Sequence, residues 1–277
     1  MPTASLGLGD WSFEPTVSIG LAGLVAVYVW MWRRGHLRAD DDSAPWATPA
    51  RLRPAWFALG VLCGFIALQS PIDTGGDRYL LTLHMVQHLL LMMVAPPLVL
   101  LGIAGMRTPA PQVAPRLRAL WTRATRPWPA TITFSAVLLV WHLPALYNTT
   151  LTNDGLHIVE HLTFIGVGVI YWWPIVDPVR GAAVAAVAPM QKIAMLVVAG
   201  ILPTAMGFIF VMGRTPYYSF YAAAPRLWGL GAVTDQQFAG VVMLGAGNLI
   251  YFVAITVIFL RMFGRPEDDE EAVAAAS

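Results

Sequence analysis

Seven long intervals of the sequence contain no Asp, Glu, Lys or Arg, and this feature decides the class of protein. They are Pro15–Trp32, Pro54–Ile72, Tyr79–Met106, Pro127–Asn153, His161–Val176, Ile193–Gly213 and Gln236–Leu260. About 20 apolar residues cross a bilayer as an α-helix, so we predict an all-α polytopic membrane protein, a bundle of seven transmembrane helices in a lipid bilayer. Only 12% of the residues are charged, against about 25% in soluble domains. This excludes a nucleic-acid binder, a secreted disulfide scaffold and a large soluble catalytic domain.

The predicted domain organisation is simple. Residues 1–15 form a short outer segment, residues 16–262 the seven-helix transmembrane domain, and residues 263–277 an acidic cytoplasmic tail that we expect to be disordered. The seven spans are predicted at residues 16–32, 54–71, 79–102, 129–147, 155–175, 189–212 and 236–262.

The positively charged residues fall unevenly on the two sides of the predicted bundle. Of 17 Lys and Arg, only Arg78, Arg214 and Arg226 lie in one alternating set of loops, and the others lie in the opposite set. Lys and Arg accumulate in cytoplasmic loops. We therefore predict that the N-terminus lies outside and the C-terminus in the cytoplasm. Because no basic segment precedes the first span, we predict that it is retained rather than cleaved as a signal peptide.

Five of the six histidines fall inside predicted spans, where ionisable groups are costly and mark functional sites. They are His84 and His88 in the third span, His142 in the fourth, and His157 and His161 in the fifth. With the predicted topology all five lie in the outer leaflet, roughly 3–14 Å from its boundary at 1.5 Å per residue. Two pairs have the i,i+4 spacing that places two side chains on one helix face. We predict a shared metal or cofactor site, with three or four of the five histidines as ligands.

Other side chains near this level indicate which metal such a site would take. Glu160, the acidic residue within the apolar body of the spans, is predicted to orient an imidazole. Met85 and Met206 offer soft thioether ligands. Asp235 and Gln236 lie at the start of the seventh span, where they could close the outer opening of the bundle. Imidazole and thioether with almost no carboxylate favour copper over magnesium, calcium or manganese.

The aromatic residues are predicted to have two roles. Those near the span ends are predicted to form interfacial belts; they are Trp141, Tyr147, Tyr171, Trp172 and Trp173. The loop Gly213–Thr234 carries Tyr217, Tyr218, Phe220, Tyr221 and Trp228, and we predict that it forms a lid that could dock a partner.

The single cysteine, Cys63, lies in the second predicted span and cannot form an internal disulfide. It is interpreted as a small apolar residue, and a thiolate metal ligand is the alternative. A homodimer in the membrane remains a possible alternative. Gly240 and Gly245, however, do not have the spacing of a small-residue motif through which transmembrane helices pair.

One motif suggests an enzyme. Residues 157–161 match the H-x-x-E-H pattern of inverzincin metalloproteases. That chemistry needs both histidines on one zinc ion, the glutamate as base and a further protein ligand. Those enzymes are large soluble proteins, and a pentapeptide recurs easily by chance. We therefore predict that the protein is not an enzyme, with a zinc hydrolase as a minor alternative.

Several segments together resemble a known family. They are HMVQHLLL at 84–91, APPL at 95–98, WHLP at 141–144, HIVEH at 157–161, YWWP at 171–174 and DQQ at 235–237. In these residues the chain resembles the CtaG family, seven-span assembly factors of caa3-type cytochrome c oxidase, over roughly residues 20–262.

The resemblance implies a location in the bacterial cytoplasmic membrane and a role in maturing the oxidase by supplying copper to its catalytic subunit. It also implies that a copper donor should work in the outer half of the bilayer, where the buried copper centre of the oxidase lies. The histidines are predicted at that depth.

Two other functions stay open from the residues alone. Histidines on neighbouring transmembrane helices also hold b-type haem, so an electron-transfer protein with haem b is the first alternative. All five histidines lie on one side, which argues against two stacked haems across the membrane. The second alternative is a copper permease, which would require polar residues through to the cytoplasmic leaflet.

Overall fold

The computed structural model describes residues 5–35, 49–105, 115–178 and 187–263, and the regular structure in these ranges is helical, without a strand. The helices are α1 (Pro15–Arg33), α2 (Arg53–Gln69), α3 (Pro71–Arg78), α4 (Leu81–Leu89), α5 (Ala95–Gly102), α6 (Pro115–Ala124), α7 (Pro127–Trp141), α8 (Pro144–Thr150), α9 (Asp154–Val176), α10 (Pro189–Met212), α11 (Ser219–Ala223), α12 (Ala232–Val242) and α13 (Asn248–Phe263). A single 3₁₀ turn, Ala50–Leu52, precedes α2. The predicted all-α class is confirmed.

Several helices begin at a proline, which suits the first turn because its missing N–H would have no helical acceptor there. Examples are Pro71 in α3, Pro144 in α8 and Pro189 in α10. Proline also fixes the breaks between α2 and α3 and between α7 and α8, where the axes bend by 40° and 75°. At the first break the Ser70 hydroxyl accepts a hydrogen bond from the backbone N–H of Ile72.

Two pairs of helices continue into each other through a π-helical turn. Leu90–Val94 joins α4 to α5, and Met243–Gly247 joins α12 to α13. Such turns occur often at functional sites. At the first one α9 packs very closely: a Cβ on Gly168 would lie 2.8 Å from the carbonyl oxygen of Met92. Only glycine permits this approach of the two helices.

The helices are long and apolar enough for a membrane protein. Five continuous helical segments could each span a bilayer, and the two bent pairs raise the number to as many as seven. The outward surface is rich in large apolar side chains, including Ile19, Ile201, Phe252 and Leu260. A soluble protein rarely exposes so many, whereas lipid solvates them readily.

The boundaries agree with the predicted spans to within a few residues, with one difference. The fourth predicted span, 129–147, is not one straight helix: α7 ends at Trp141, and His142 occupies the bend before Pro144. Proline cannot donate the next helical hydrogen bond, so the helix ends there. The tail predicted at 263–277 lies outside the described residues apart from Phe263.

The N-terminal segment is tied to the bundle. The backbone N–H of Ser12 donates to the carbonyl of Gln69, and the N–H of Glu14 donates to the Gln69 side chain at 2.8 Å. The Ser12 hydroxyl donates to Asp73 at 2.5 Å, and Gln87 on α4 donates to the other oxygen of Asp73 at 2.7 Å. This buried network holds α3 against α4.

Candidate metal centre

The five predicted histidines meet at one end of the bundle. The i,i+4 spacing brings the rings of each pair together, with centroids 4.2 Å apart for His84–His88 and 4.1 Å apart for His157–His161. Across the helices the centroids of His84 and His157 are 5.4 Å apart. Those of His88 and His161 are 5.8 Å apart, and His88 and His142 are 6.0 Å apart. Helices α4 and α9 therefore present their histidines to each other.

Three of the histidines form a compact triad. One ring nitrogen from each of His84, His88 and His161 lies within 4.8 Å of the others. The three residues are only 0%, 3% and 8% exposed, so this site is sheltered from solvent. The Nε2 atoms of all three are buried and have no hydrogen-bond partner in the described residues. Buried polar groups are almost always paired, so these unpartnered nitrogens are candidate ligands for a metal ion.

The proton on His84 is fixed by its neighbour. Burial raises the pKa of the Tyr221 hydroxyl well above its ordinary value, so that hydroxyl stays protonated. It donates its single proton to the carbonyl oxygen of Gly76 at 2.7 Å. The 2.8 Å contact between the same hydroxyl and Nδ1 of His84 must then use a proton on Nδ1. His84 is therefore held in the tautomer whose Nε2 lone pair is free to bind a metal ion.

The tautomer of His142 is also fixed by a hydrogen bond at Nδ1. Its Nδ1 lies 2.8 Å from the carbonyl oxygen of Leu138, which can only accept, so Nδ1 carries the proton and the unpartnered Nε2 has a free lone pair. His142 does not belong to the triad. With His88 it lines a small neighbouring cavity of about 50 Å³.

That cavity is rich in sulfur. Four methionines line it, together with Phe134, Leu138 and Tyr251; they are Met85, Met92, Met93 and Met243. The share of liquid volume of one water molecule is about 30 Å³, so the cavity can hold one ion or one or two water molecules. Met85 thus lines the same cavity as His88 and His142, whereas Met206 is buried in the core and lies outside this lining.

Glu160 is fully buried and belongs to the cluster, where it faces His88 of the neighbouring helix α4. Its Oε1 lies 3.6 Å from Nε2 of His88, across the helix interface. This distance exceeds that of a hydrogen bond, and neither carboxylate oxygen has a partner among the described residues. A cation held between the two groups would satisfy both.

A second group of ligands overlaps the triad. One atom each from Asp77, His84 and His157 lies within 4.8 Å of the others, and Oδ1 of Asp77 is 3.5 Å from Nε2 of His157. The sequence analysis did not single out Asp77, which belongs to the short helix α3. Its position next to the histidines depends on the bend after Gln69. The two histidines of the H-x-x-E-H motif therefore belong to different ligand groups.

Asp235 and Gln236 do not contact the histidines but hold the elements around them. The carboxylate of Asp235 accepts hydrogen bonds from the backbone N–H groups of Leu81 and Thr82, at 2.7 and 3.0 Å. It therefore caps the N-terminus of α4, one turn before His84. The Gln236 side chain accepts from the N–H of Tyr217 at 2.8 Å, so it stabilises the loop 213–234 rather than contacting the histidines.

The interfacial position predicted for several aromatic residues is wrong. Tyr147, Tyr171, Trp172 and Trp141 are buried in the protein. The Tyr147 ring lies between the histidines, with its centroid 5.3 Å from that of His84 and 5.9 Å from that of His142. The bend at Pro144 turns α8 inward, which a straight-helix interpretation could not anticipate.

Part of the loop that was predicted to form a lid is held in place by packing against the bundle. Tyr218 and Tyr221 are buried; Tyr218 stacks on Tyr147 at 4.0 Å and donates to the carbonyl of His142. Tyr217 and Trp228 remain largely exposed on the same loop. Cys63 is half-buried on α2 and belongs to neither ligand group.

A helical membrane protein with converging, unpartnered histidines buried at one end is the class that fold and site define. The comparisons place the chain more closely. The family described as cytochrome c oxidase caa3 assembly factor (Caa3_CtaG) matches residues 26–265. The chain belongs to this family, as the motifs around His84, His142 and His157 indicated. No curated protein and no solved structure matches the chain.

Proposed function

We propose that this assembly factor binds Cu(I) through the triad of His84, His88 and His161 and delivers it to the catalytic subunit of cytochrome c oxidase in the bacterial cytoplasmic membrane. The observation that carries the proposal is the convergence of one ring nitrogen from each of three buried histidines, whose Nε2 atoms have no hydrogen-bond partner in the described residues. Imidazole is a good copper ligand. Three nitrogen ligands leave a coordination position open for an incoming ligand.

The environment of the triad suits a monovalent soft ion. The adjoining cavity offers thioether sulfur from Met85 and Met243 beside His142, and soft ligands select Cu(I). A cation in the triad would favour the ionised form of the buried Glu160 carboxyl, whose Oε1 lies 3.6 Å from Nε2 of His88. A single positive charge in the triad would be balanced without a second anion.

The space around the histidines favours a bare ion over haem b. Cofactor pockets measure about 300–1,000 Å³, whereas the cavity beside His88 and His142 has about 50 Å³. The imidazoles of neighbouring helices lie with ring centroids 5–6 Å apart and at tilted angles. A porphyrin would have to force α4 and α9 apart.

Transfer would proceed by ligand exchange. The ion leaves the triad when histidines of the oxidase subunit replace His161, His88 and His84 one at a time. The exposed aromatic side chains of the outer loop, Tyr217 and Trp228, offer the docking surface. Trp228→Ala should then reduce co-purification with the oxidase subunit while copper binding is retained; unchanged co-purification would contradict the docking role.

The test of copper binding is metal analysis together with an absorption spectrum of the detergent-purified protein. The wild type is compared with the His84→Ala/His88→Ala double variant and with His36→Ala, which removes the histidine outside the predicted spans. We expect about one copper ion per chain, no Soret band, and loss of copper in the double variant alone. A Soret band, or copper retained by the double variant, would overturn the proposal.

A further inference from the structure

We propose that Asp77, His84 and His157 form a second metal site, for a divalent cation such as Zn²⁺ or Cu²⁺, and that this site competes with the copper triad for His84. The competition rests on the proposed copper function, whereas the divalent site itself does not. The ligand atoms of the three residues all lie within 4.8 Å of one another.

The atoms of this site have the separation and burial that metal ligands require. Oδ1 of Asp77, Nε2 of His157 and Nε2 of His84 are all buried atoms without a hydrogen-bond partner in the described residues. The separation of 3.5 Å between the Asp77 and His157 atoms is too long for a good hydrogen bond. It suits two ligands on one ion, because ligands about 2.0–2.2 Å from a tetrahedral metal lie about 3.5 Å apart.

The chemistry of this site differs from that of the triad. One carboxylate and two imidazoles favour Zn²⁺ and Cu²⁺, since carboxylate is a hard ligand and imidazole a borderline one. The triad has imidazole alone and adjoins thioether sulfur. The two sites should therefore prefer different ions.

The two sites also differ in access. The side chains of Asp77 and His157 are 31% and 13% exposed, against 4% for the side chain of His88 in the triad. The divalent site is therefore the outer one, which ions from solvent reach first. The triad, which shares His84 with it, is the more buried of the two sites.

His84 cannot serve both sites at once. Its Nδ1 is occupied by the hydrogen bond to Tyr221, so Nε2 is its one free ligand atom, and one lone pair binds one ion. A divalent ion in the outer site consequently removes a ligand from the triad. An ion can also pass from one site to the other by keeping His84 while it exchanges Asp77 and His157 for His88 and His161.

The test measures Zn²⁺ and Cu(I) affinities separately on the full-length, detergent-purified protein. Four variants are compared with the wild type: Asp77→Asn, which changes the outer site; His88→Ala, which changes the triad; His84→Ala, which changes both; and Asp154→Asn as a control. Asp154 is an exposed carboxylate three residues before His157, so its loss reproduces the change in charge. Circular dichroism and gel filtration verify folding.

We expect the ratio of Zn²⁺ to Cu(I) affinity to fall at least about tenfold in Asp77→Asn, because losing a direct ligand costs more than losing an outer partner. The ratio should rise in His88→Ala and stay constant in Asp154→Asn. Saturating Zn²⁺ should weaken Cu(I) binding in the wild type and much less in Asp77→Asn.

Two results would overturn the inference: a Zn²⁺ affinity that Asp77→Asn leaves unchanged, or Zn²⁺ and Cu(I) bound together without mutual effect. A wild type that binds Zn²⁺ through Asp77 but no Cu(I) at all would instead contradict the proposed copper function and retain the divalent site. The two failures are thus distinguishable.

Discussion

The hydroxyl of Tyr221 lies 2.8 Å from Nδ1 of His84, although 137 residues separate them in the chain. The contact joins the loop 213–234 to the histidine-bearing face of α4 and determines which nitrogen of His84 is free. A partner on the second ring nitrogen commonly tunes a metal-binding histidine. If His84 binds copper as proposed, the loop should therefore tune the site without supplying a ligand.

Tyr221→Phe should weaken Cu(I) binding. Without the hydroxyl, Nδ1 of His84 loses its acceptor and the Gly76 carbonyl loses its donor. We expect the Cu(I) affinity to fall about 10- to 100-fold and stability to fall by about 1–3 kcal/mol. Competition with a Cu(I) chelator and thermal unfolding in detergent measure the two effects.

Tyr217→Phe is the matched control, because the Tyr217 hydroxyl makes one long hydrogen bond of 3.4 Å on the exposed side of the same loop. Equal losses of Cu(I) affinity in the two variants would show that the tyrosine hydroxyls only stabilise the loop. That result would contradict a specific role for Tyr221.

Gly76→Ala should displace His84. A Cβ at Gly76 would lie 3.0 Å from the backbone nitrogen and the Cα of His84, so α3 and α4 must separate. We expect a loss of about 1–3 kcal/mol, as for other overpacked positions, with weaker Cu(I) binding. Gly166→Ala on α9, where a Cβ meets open space, should be neutral or more stable by up to about 1 kcal/mol. Wild-type copper binding in Gly76→Ala would contradict this account of the helix contact.

Asp235→Asn should loosen the start of α4. The two carboxylate oxygens accept from the N–H groups of Leu81 and Thr82; an amide keeps one acceptor oxygen, so one of these N–H groups loses its partner, at a cost of about 1–3 kcal/mol. Amide hydrogen exchange at residues 81–84 should accelerate. Glu14→Gln is the control, since Glu14 precedes α1 without a side-chain capping bond. If exchange at α4 is as slow in Asp235→Asn as in the control, the capping role is wrong.

Glu160→Gln should reduce the stabilisation of the protein by bound Cu(I). The substitution keeps the shape of the side chain but removes the negative charge 3.6 Å from Nε2 of His88. We expect the rise in unfolding temperature caused by Cu(I) to be smaller than in the wild type, while the metal-free protein is no less stable. The exposed Asp154→Asn serves as the charge control. An undiminished response to Cu(I) would show that Glu160 does not balance the charge of the ion.

The sequence was sufficient to predict the helices and the meeting of the histidines, because both follow from local rules. Charge-free intervals locate apolar helices, and the spacing of His84 and His88 places both on one face of α4. The bends could not be located in this way. Without the turn at Ser70, Asp77 would not reach His157, and without the bend at His142, Tyr147 would not lie between the histidines.

Long-range partners were equally inaccessible to sequence reasoning. Tyr221 was one aromatic residue among several in an outer loop, and only packing distinguishes it from the exposed Tyr217. Asp235 was identified as a polar residue at the start of a helix, but the helix that it caps is α4, more than 150 positions earlier. Such contacts depend on how the helices pack, which no local pattern encodes.

The measurement that tests the central claim most directly is copper K-edge X-ray absorption on the full-length protein loaded with one equivalent of Cu(I). His161→Ala and His36→Ala are measured beside the wild type. We predict a three-coordinate Cu(I) edge dominated by imidazole nitrogen in the wild type and in His36→Ala. In His161→Ala one nitrogen scatterer should be lost. A first shell made of sulfur alone, or a spectrum unchanged in His161→Ala, would contradict the assignment of copper to the triad of His84, His88 and His161.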